Sequence, residues 1–418
     1  MKQKHNLNKD YYLLWSFHLL SLFGGEMTRF ALPIWLFQRE ESFFYYCLLI
    51  ACGLIPRIFF SPIAGGIVDN LNKKRVLLSS GLSLSVISLL ILALQLEIFA
   101  TIWWLAFPLV FLISVFSNTI HITTLSSLSS LIHAESLLRG NSLLIAAESA
   151  SLFLSPLIAG YIYFEFGPSL VFITDFSCFL LATTFLLTIN SSKLFPSKQF
   201  NNQQIFAQAK NGILEAINFV RSSKANILLL LTSPVVNFFF SLSFSAFIPM
   251  LLTTYQFDTR LVGWAIAMGG AGQLVGSFIS GYLLKPNHLI FLSFTSMMLL
   301  GVTGPFFIGI SHEPIFLILG YTLTLAFISI INSVNHTYWQ KNSPTNLQGS
   351  VFGVRRMISA SIAPIGALLA SPMVDLFEGG GFSVNFIISG LAIFFLGFFG
   401  FIYAYRLRMQ SQVELHDE

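Results

Sequence analysis

Gly65-Gly66-Ile67-Val68-Asp69-Asn70-Leu71-Asn72-Lys73-Lys74-Arg75 is a short charged break between two long apolar runs, one ending near residue 68 and the next starting near 76. Apolar runs of roughly 20 residues are what a hydrocarbon core roughly 30 Å thick demands of a crossing α-helix. The clustered cations have no place in that core, so the break is a surface loop and the flanking runs form a hairpin of membrane spans.

The same alternation extends in both directions. Apolar runs lie near 11–37, 43–68, 76–96, 102–131, 141–164 and 169–189, and then, after a polar stretch, near 226–254, 261–284, 287–310, 314–338, 351–376 and 383–405. This predicts an all-α membrane protein of twelve transmembrane helices in two six-helix halves: 1–190, a linker 191–225, and 226–418. Composition agrees, since 55% of the 418 residues are hydrophobic and only 10% charged, against roughly 25% charged in soluble domains. A soluble enzyme is excluded. Lys2, Lys4 and Lys9 precede a first run far longer than a signal-peptide core, which reads as an uncleaved first span. Cys47, Cys52 and Cys178 all fall inside apolar runs and read as small packing residues.

Sidedness follows from the cations. All of the 22 Lys and Arg except Arg29, Arg39, Arg57 and Arg260 fall at the termini, in the linker, in loops on the same side or, for Arg355 and Arg356, at the start of span eleven on that side. By the positive-inside bias that side is cytoplasmic, with both termini on it. In the linker Ile205, Ala209, Ile213, Ile217 and Val220 share one helical face. That amphipathic helix either lies along the membrane surface or packs on the protein. Ser155-Pro156-Leu157-Ile158-Ala159-Gly160 of span five has a counterpart in Ala363-Pro364-Ile365-Gly366-Ala367 of span eleven, and Ser61-Pro62-Ile63-Ala64-Gly65 echoes it in span two. Duplicated halves of this kind are the build of many secondary transporters, with substrate held near the midplane.

A charge at mid-bilayer costs about 2.5–3.5 kcal/mol on insertion scales, so polar residues inside spans mark candidate sites. Glu26 and Arg29 are three apart in span one and able to pair, and Arg57 lies about halfway through span two. Glu26 is the leading candidate for a proton-coupling carboxylate whose charge Arg29 and Arg57 govern; a buried structural pair is the alternative. Glu148 in span five and Asp175 in span six are further coupling or packing candidates. Asn118 and His121 in span four, Asn237 in span seven, and Asn332, Asn335, His336 and Trp339 in span ten are candidate cavity residues. Interhelical hydrogen bonding is the alternative for each. The chain has no phosphate-binding loop, no zinc-protease helix motif and no nucleophile elbow. No enzymatic activity, cofactor, metal or nucleic-acid partner is expected. The glycine-rich Gly269–Gly276 lies inside a span and reads as close helix packing.

The loop quoted first resembles the GxxxDRxxRR signature of the major facilitator superfamily, in the right place between spans two and three, with Asn70 where the family carries Arg. The resemblance implies that Gly65 permits close helix approach, that Asp69 caps and pairs across the halves, and that Lys73, Lys74 and Arg75 form a gating latch. Phe30–Trp35, Arg139-Gly140-Asn141, Ser155-Pro156 with Gly160, Asp175-Phe176, Gln348–Gly353 and Pro364 resemble landmarks of the branch that includes macrolide-efflux proteins, the enterobactin exporter and cyanobacterial members. Pro156, Gly160 and Pro364 would serve helix packing. The span-four Arg of drug/proton antiporters is absent. The implied function is export of an amphipathic small molecule, a drug or natural product, by proton antiport with alternating access, from a monomer in a bacterial inner membrane. A lipid or lysolipid translocator, an importer, and a non-transporting receptor are the alternatives.

Overall fold

The computed structural model describes residues 8–68, 72–132, 136–189, 213–282, 289–344, 348–377 and 380–414. In the first part of the chain the helices are α1 (Lys9–Glu40), α2 (Phe43–Val68), α3 (Lys73–Ala93), α4 (Ala106–Leu131), α5 (Leu137–Phe166) and α6 (Pro168–Leu187). Later come α7 (Lys224–Phe244), α8 (Phe247–Thr253), α9 (Thr259–Tyr282), α10 (Leu289–Gly301), α11 (Phe307–Ile310), α12 (Pro314–Asn342), α13 (Gln348–Ala360), α14 (Ala363–Leu376) and α15 (Gly381–Glu414). No strand occurs among the described residues.

Among those residues, ten helices are long and apolar enough to cross a membrane. They match the expected spans three to twelve. The first two expected spans are occupied by α1 and α2. With 32 residues α1 is about 48 Å long, but Glu26, Arg29 and its polar ends lower its mean hydropathy. In α2 the described apolar stretch is Phe43–Pro56.

Several spans that read as continuous are broken. The third loop holds a 3₁₀ segment, Glu97–Leu105, ahead of α4. Span seven is interrupted between α7 and α8 at Ser245 and Ala246, and span eleven between α13 and α14 at Ser361 and Ile362. In span nine a π-turn at Val302–Phe306 contains Pro305, which has no N–H to give the helix. Such breaks leave hydropathy untouched, and of these only the π-turn has a proline within it. Where α5 ends, Gly167 adopts φ +82 and its N–H bonds the Tyr163 carbonyl, and Pro168 then starts α6.

The chain divides into two compact units, Met1–Lys210 with Phe257–Ala267, and Asn211–Gln256 with Met268–Glu418. The first turns of α9 therefore group with the first unit. That unit has a core built from Tyr11, Leu14, Phe17, Leu84, Leu128 and Phe179. Asn8 caps α1 by accepting from the Tyr11 N–H and donates to the Leu131 carbonyl at 2.6 Å. Asn72 caps α3 in the same way. Lys73 donates to the Ser126 carbonyl at 2.5 Å, and Lys74 to the Ile189 and Leu187 carbonyls at 2.6 and 3.0 Å. Of these two expected latch residues, Lys73 thus binds a carbonyl within α4, and Lys74 serves the carbonyls at the C-terminal end of α6, where the helix dipole favours a cation. Arg75 is exposed. Asp69 lies outside the described residues; Gly65 is helical, its surroundings outside them.

The expected packing glycine Gly160 meets Gly263: a Cβ on Gly160 would fall 2.9 Å from the Gly263 Cα and onto the Thr259 carbonyl. Thr259 donates its hydroxyl to the Gly160 carbonyl at 3.3 Å. In the second unit Pro364 sits in the first turn of α14, and Gly366 lies against the backbone of Phe238. Gly269, Gly272 and Gly276 pack on Tyr321, Thr322 and Ala326 of α12, which bears out their reading as packing residues. Ile205 and Ala209 of the expected amphipathic face lie outside the described residues. The helical residues 213–221 bury Ala216 and Val220 in a core shared with Leu229, Trp339 and Val351.

Candidate functional site

One face of α1 carries His18, Ser21, Leu22, Gly25, Glu26 and Arg29, at steps of three, four, seven, eight and eleven residues, which is a single helical stripe. This stripe forms one wall of a cavity of about 30 Å³, room for about two waters. Ser117, Ile120 and His121 of α4, Leu84 of α3 and Phe179 of α6 line the rest. The apolar members fix the shape, and the polar ones are concentrated on α1 and α4.

Glu148 of α5 completes the polar group. Its Oε1 lies 3.3 Å from His121 Nδ1 and 3.7 Å from His18 Nε2. The two imidazoles stand 6.1 Å apart between centroids, tilted by 35°. His18 is 1% exposed, while the side chains of His121 and Glu148 are 29% and 33% exposed. His18 Nδ1 and the Ser21 hydroxyl, one turn on, are buried without a hydrogen-bond partner. Glu26 and Arg29 form the expected ion pair, the carboxylate 14% exposed and the guanidinium 47%. Two imidazoles, one carboxylate and one guanidinium therefore line one small space, and Glu148 stands against both imidazoles. With both imidazoles neutral the group carries one net negative charge, a setting that can take up a proton or a cation.

Other expected residues lie elsewhere. Asp175 is fully packed, accepting from Thr28 at 2.5 Å and Ser88 at 2.8 Å, which ties α6 to α1 and α3. Gly24 leaves no space for a Cβ beside it. Asn118 is buried with an unpartnered Nδ2. The helix position of Arg57 is described but its side chain is not. In the second unit Asn237 donates to the Ser359 carbonyl and hydroxyl at 3.0 and 2.8 Å. The expected stripe on α12 splits in two. Asn335 accepts from Ser293 at 3.1 Å and Trp339, 1% exposed, belongs to the core. Asn332 and His336 are exposed, with His336 stacked on Phe352 at 5.5 Å.

Sequence reasoning missed His18. A lone histidine in Tyr11-Tyr12-Leu13-Leu14-Trp15-Ser16-Phe17-His18 looks like an ordinary aromatic-rich entry into a span. The available signal was its register, eight residues before Glu26 and therefore on the same stripe.

Comparison with known proteins agrees with this architecture. The model of the family described as Major Facilitator Superfamily matches residues 14–367. The chain is 20% identical to Macrolide efflux protein A of Streptococcus pyogenes, over 94% of this chain and 95% of that one. It is 24% identical to the Multidrug efflux pump Tap of Mycolicibacterium fortuitum, over 90% of each. Among solved structures, a peptide transporter POT mutant in complex with alafosfalin superposes with a TM-score of 0.74 at 14% identity, covering 95% of this chain and 94% of that one, a likeness of fold. An integral membrane protein built of apolar helices, matched by this family model over most of its length, is a transporter and not an enzyme: the chain belongs to the Major Facilitator Superfamily.

Proposed function

We propose that this transporter exports an amphipathic small molecule in exchange for protons, alternating access between the two sides of a bacterial inner membrane, with both termini cytoplasmic and one chain forming the pathway. The observation that carries the reading is the Glu26–Arg29 pair on the wall of a cavity inside a unit of membrane-crossing helices. Charged groups persist at such depth when they serve a pathway or a relay. Arg29 neutralises Glu26 at rest. A proton taken up by Glu26 releases Arg29, and that change of charge at the cavity wall is a means of making substrate and proton exclude one another. The efflux relatives support the outward direction, and the cation asymmetry supports the orientation.

The test uses inside-out vesicles from a host whose own efflux pumps are deleted. Amphipathic compounds added to an established pH gradient should release protons in a compound-dependent way, and Glu26→Gln at normal expression should abolish the release. Full gradient-driven transport by Glu26→Gln would remove that carboxylate from the coupling step. Proton-independent movement of a lysolipid that outcompetes the soluble compounds would replace antiport with lipid translocation.

A further inference from the structure

We propose that His18, His121 and Glu148 form a binding site for a first-row divalent transition ion of the zinc type, open to the α1–α4 cavity. The three side chains come from α1, α4 and α5, and their ligand atoms all lie within 4.8 Å of one another. An ion with bonds of about 2.0–2.2 Å to imidazole nitrogen and carboxylate oxygen holds tetrahedral ligand atoms about 3.3 Å apart. The Glu148 oxygen is already 3.3 and 3.7 Å from the two imidazole nitrogens. Closing the remaining gap needs only rotation of His121 and Glu148, the two partly exposed members, against a fixed His18.

The donor set selects the ion class. Two imidazoles and one carboxylate suit zinc, iron, cobalt or nickel and are poor partners for magnesium or calcium, which take oxygen ligands. Three protein ligands with an open position is also the arrangement of exchangeable metal sites rather than closed structural ones. His18 and His121 line the cavity together with Ser21, Ser117 and Glu26, so water there can reach an ion held between the two imidazoles. A second observation points the same way. Ser21 Oγ, which lines the cavity, is buried without a hydrogen-bond partner, and an orphaned buried hydroxyl of this kind marks a place for a water such as one completing the ion's coordination. With neutral imidazoles the triad carries the single charge of Glu148, so a divalent ion is electrostatically favoured there, while Arg29 is held by Glu26.

This inference is independent of proton-coupled export, and its test needs no transport. The full-length protein, purified in lipid nanodiscs and stripped with chelator, is titrated with Co²⁺ as a visible-spectrum probe and then with Zn²⁺. The expected result is saturable binding at one ion per chain, with the d–d absorption of a nitrogen- and oxygen-ligated ion, displaced by Zn²⁺ and not by Mg²⁺. His121→Gln and Glu148→Gln should each weaken binding roughly tenfold or more, and His312→Gln, exposed in a loop, should leave it unchanged. His18 is buried, so His18→Gln is judged only beside those two partly exposed positions. Absence of saturable binding by monodisperse protein overturns the proposal. So does binding that both His121→Gln and Glu148→Gln leave intact.

Discussion

Two acidic side chains within the spans of the first unit show how environment separates roles that sequence leaves together. Glu148 sits a third exposed beside two histidines, whereas Asp175 is sealed between α1, α3 and α6 with Thr28 and Ser88 donating to one of its oxygens. Both are single acidic residues in apolar runs, and nothing in their sequence neighbourhoods distinguishes them. The contacts favour a packing role for Asp175. Asp175→Ala strands the Thr28 hydroxyl in a dry interior, while Ser88 keeps the Leu84 carbonyl at 3.0 Å, and should cost about 1–3 kcal/mol, seen as a lower melting temperature of the purified protein. Asp175→Asn keeps an acceptor for those hydroxyls, so it should melt closer to wild type and retain proton release in vesicles. Loss of release by a normally melting Asp175→Asn would make this carboxylate part of coupling instead. The Glu26–Arg29 pair, by contrast, was legible from its three-residue spacing alone. The triad was not, because its members lie on three helices and only folding sets His18 beside Glu148.

At the scale of elements, hydropathy located the helices well and described their interruptions poorly. Main-chain breaks such as Ser245-Ala246 and Ser361-Ile362 keep every side chain apolar or small, so a run of suitable composition hides them. Small residues proved the better guide to where helices touch. Gly160 was singled out beside Pro156, and it is where α5 meets the first turns of α9 through Gly263 and Thr259. Helix association in lipid depends on this kind of close approach, since apolar burial gives no preference for protein over lipid tails. Gly160→Val should therefore push the backbones apart, with an overpacking cost of about 1–3 kcal/mol and a reduced yield of monodisperse protein. Gly281→Ala, at a helix end with no atom within 4 Å of the added carbon, serves as the control and should behave as wild type. Equal melting temperatures for Gly160→Val and Gly281→Ala would show that the α5–α9 contact yields freely.

Over the whole molecule, the alternation of ends read from the sequence has a physical counterpart in the hydrogen bonds that join them. Within the first unit Asn8 reaches Leu131, Tyr11 reaches Gly140, Lys73 reaches Ser126 and Lys74 reaches Ile189, all at ends assigned to one face. Arg39 reaches Leu94, and Ser169 bonds Gln95, at ends assigned to the other. Within the second unit Tyr338 donates to Asn226 on the first face, and Tyr255 to the Ser311 carbonyl on the second. These bonds tie together ends that must share a face, and the cation asymmetry says which face is cytoplasmic. In a background with Cys47, Cys52 and Cys178 replaced by Ser, Arg139→Cys and His312→Cys place single thiols at exposed positions on opposite faces. A membrane-impermeant maleimide should label His312→Cys in spheroplasts and Arg139→Cys only after permeabilisation. The reverse pattern would keep the alternation and invert the orientation. Labelling of both from outside would instead break the alternation between α5 and α12, so the result separates an error of sidedness from an error of span count.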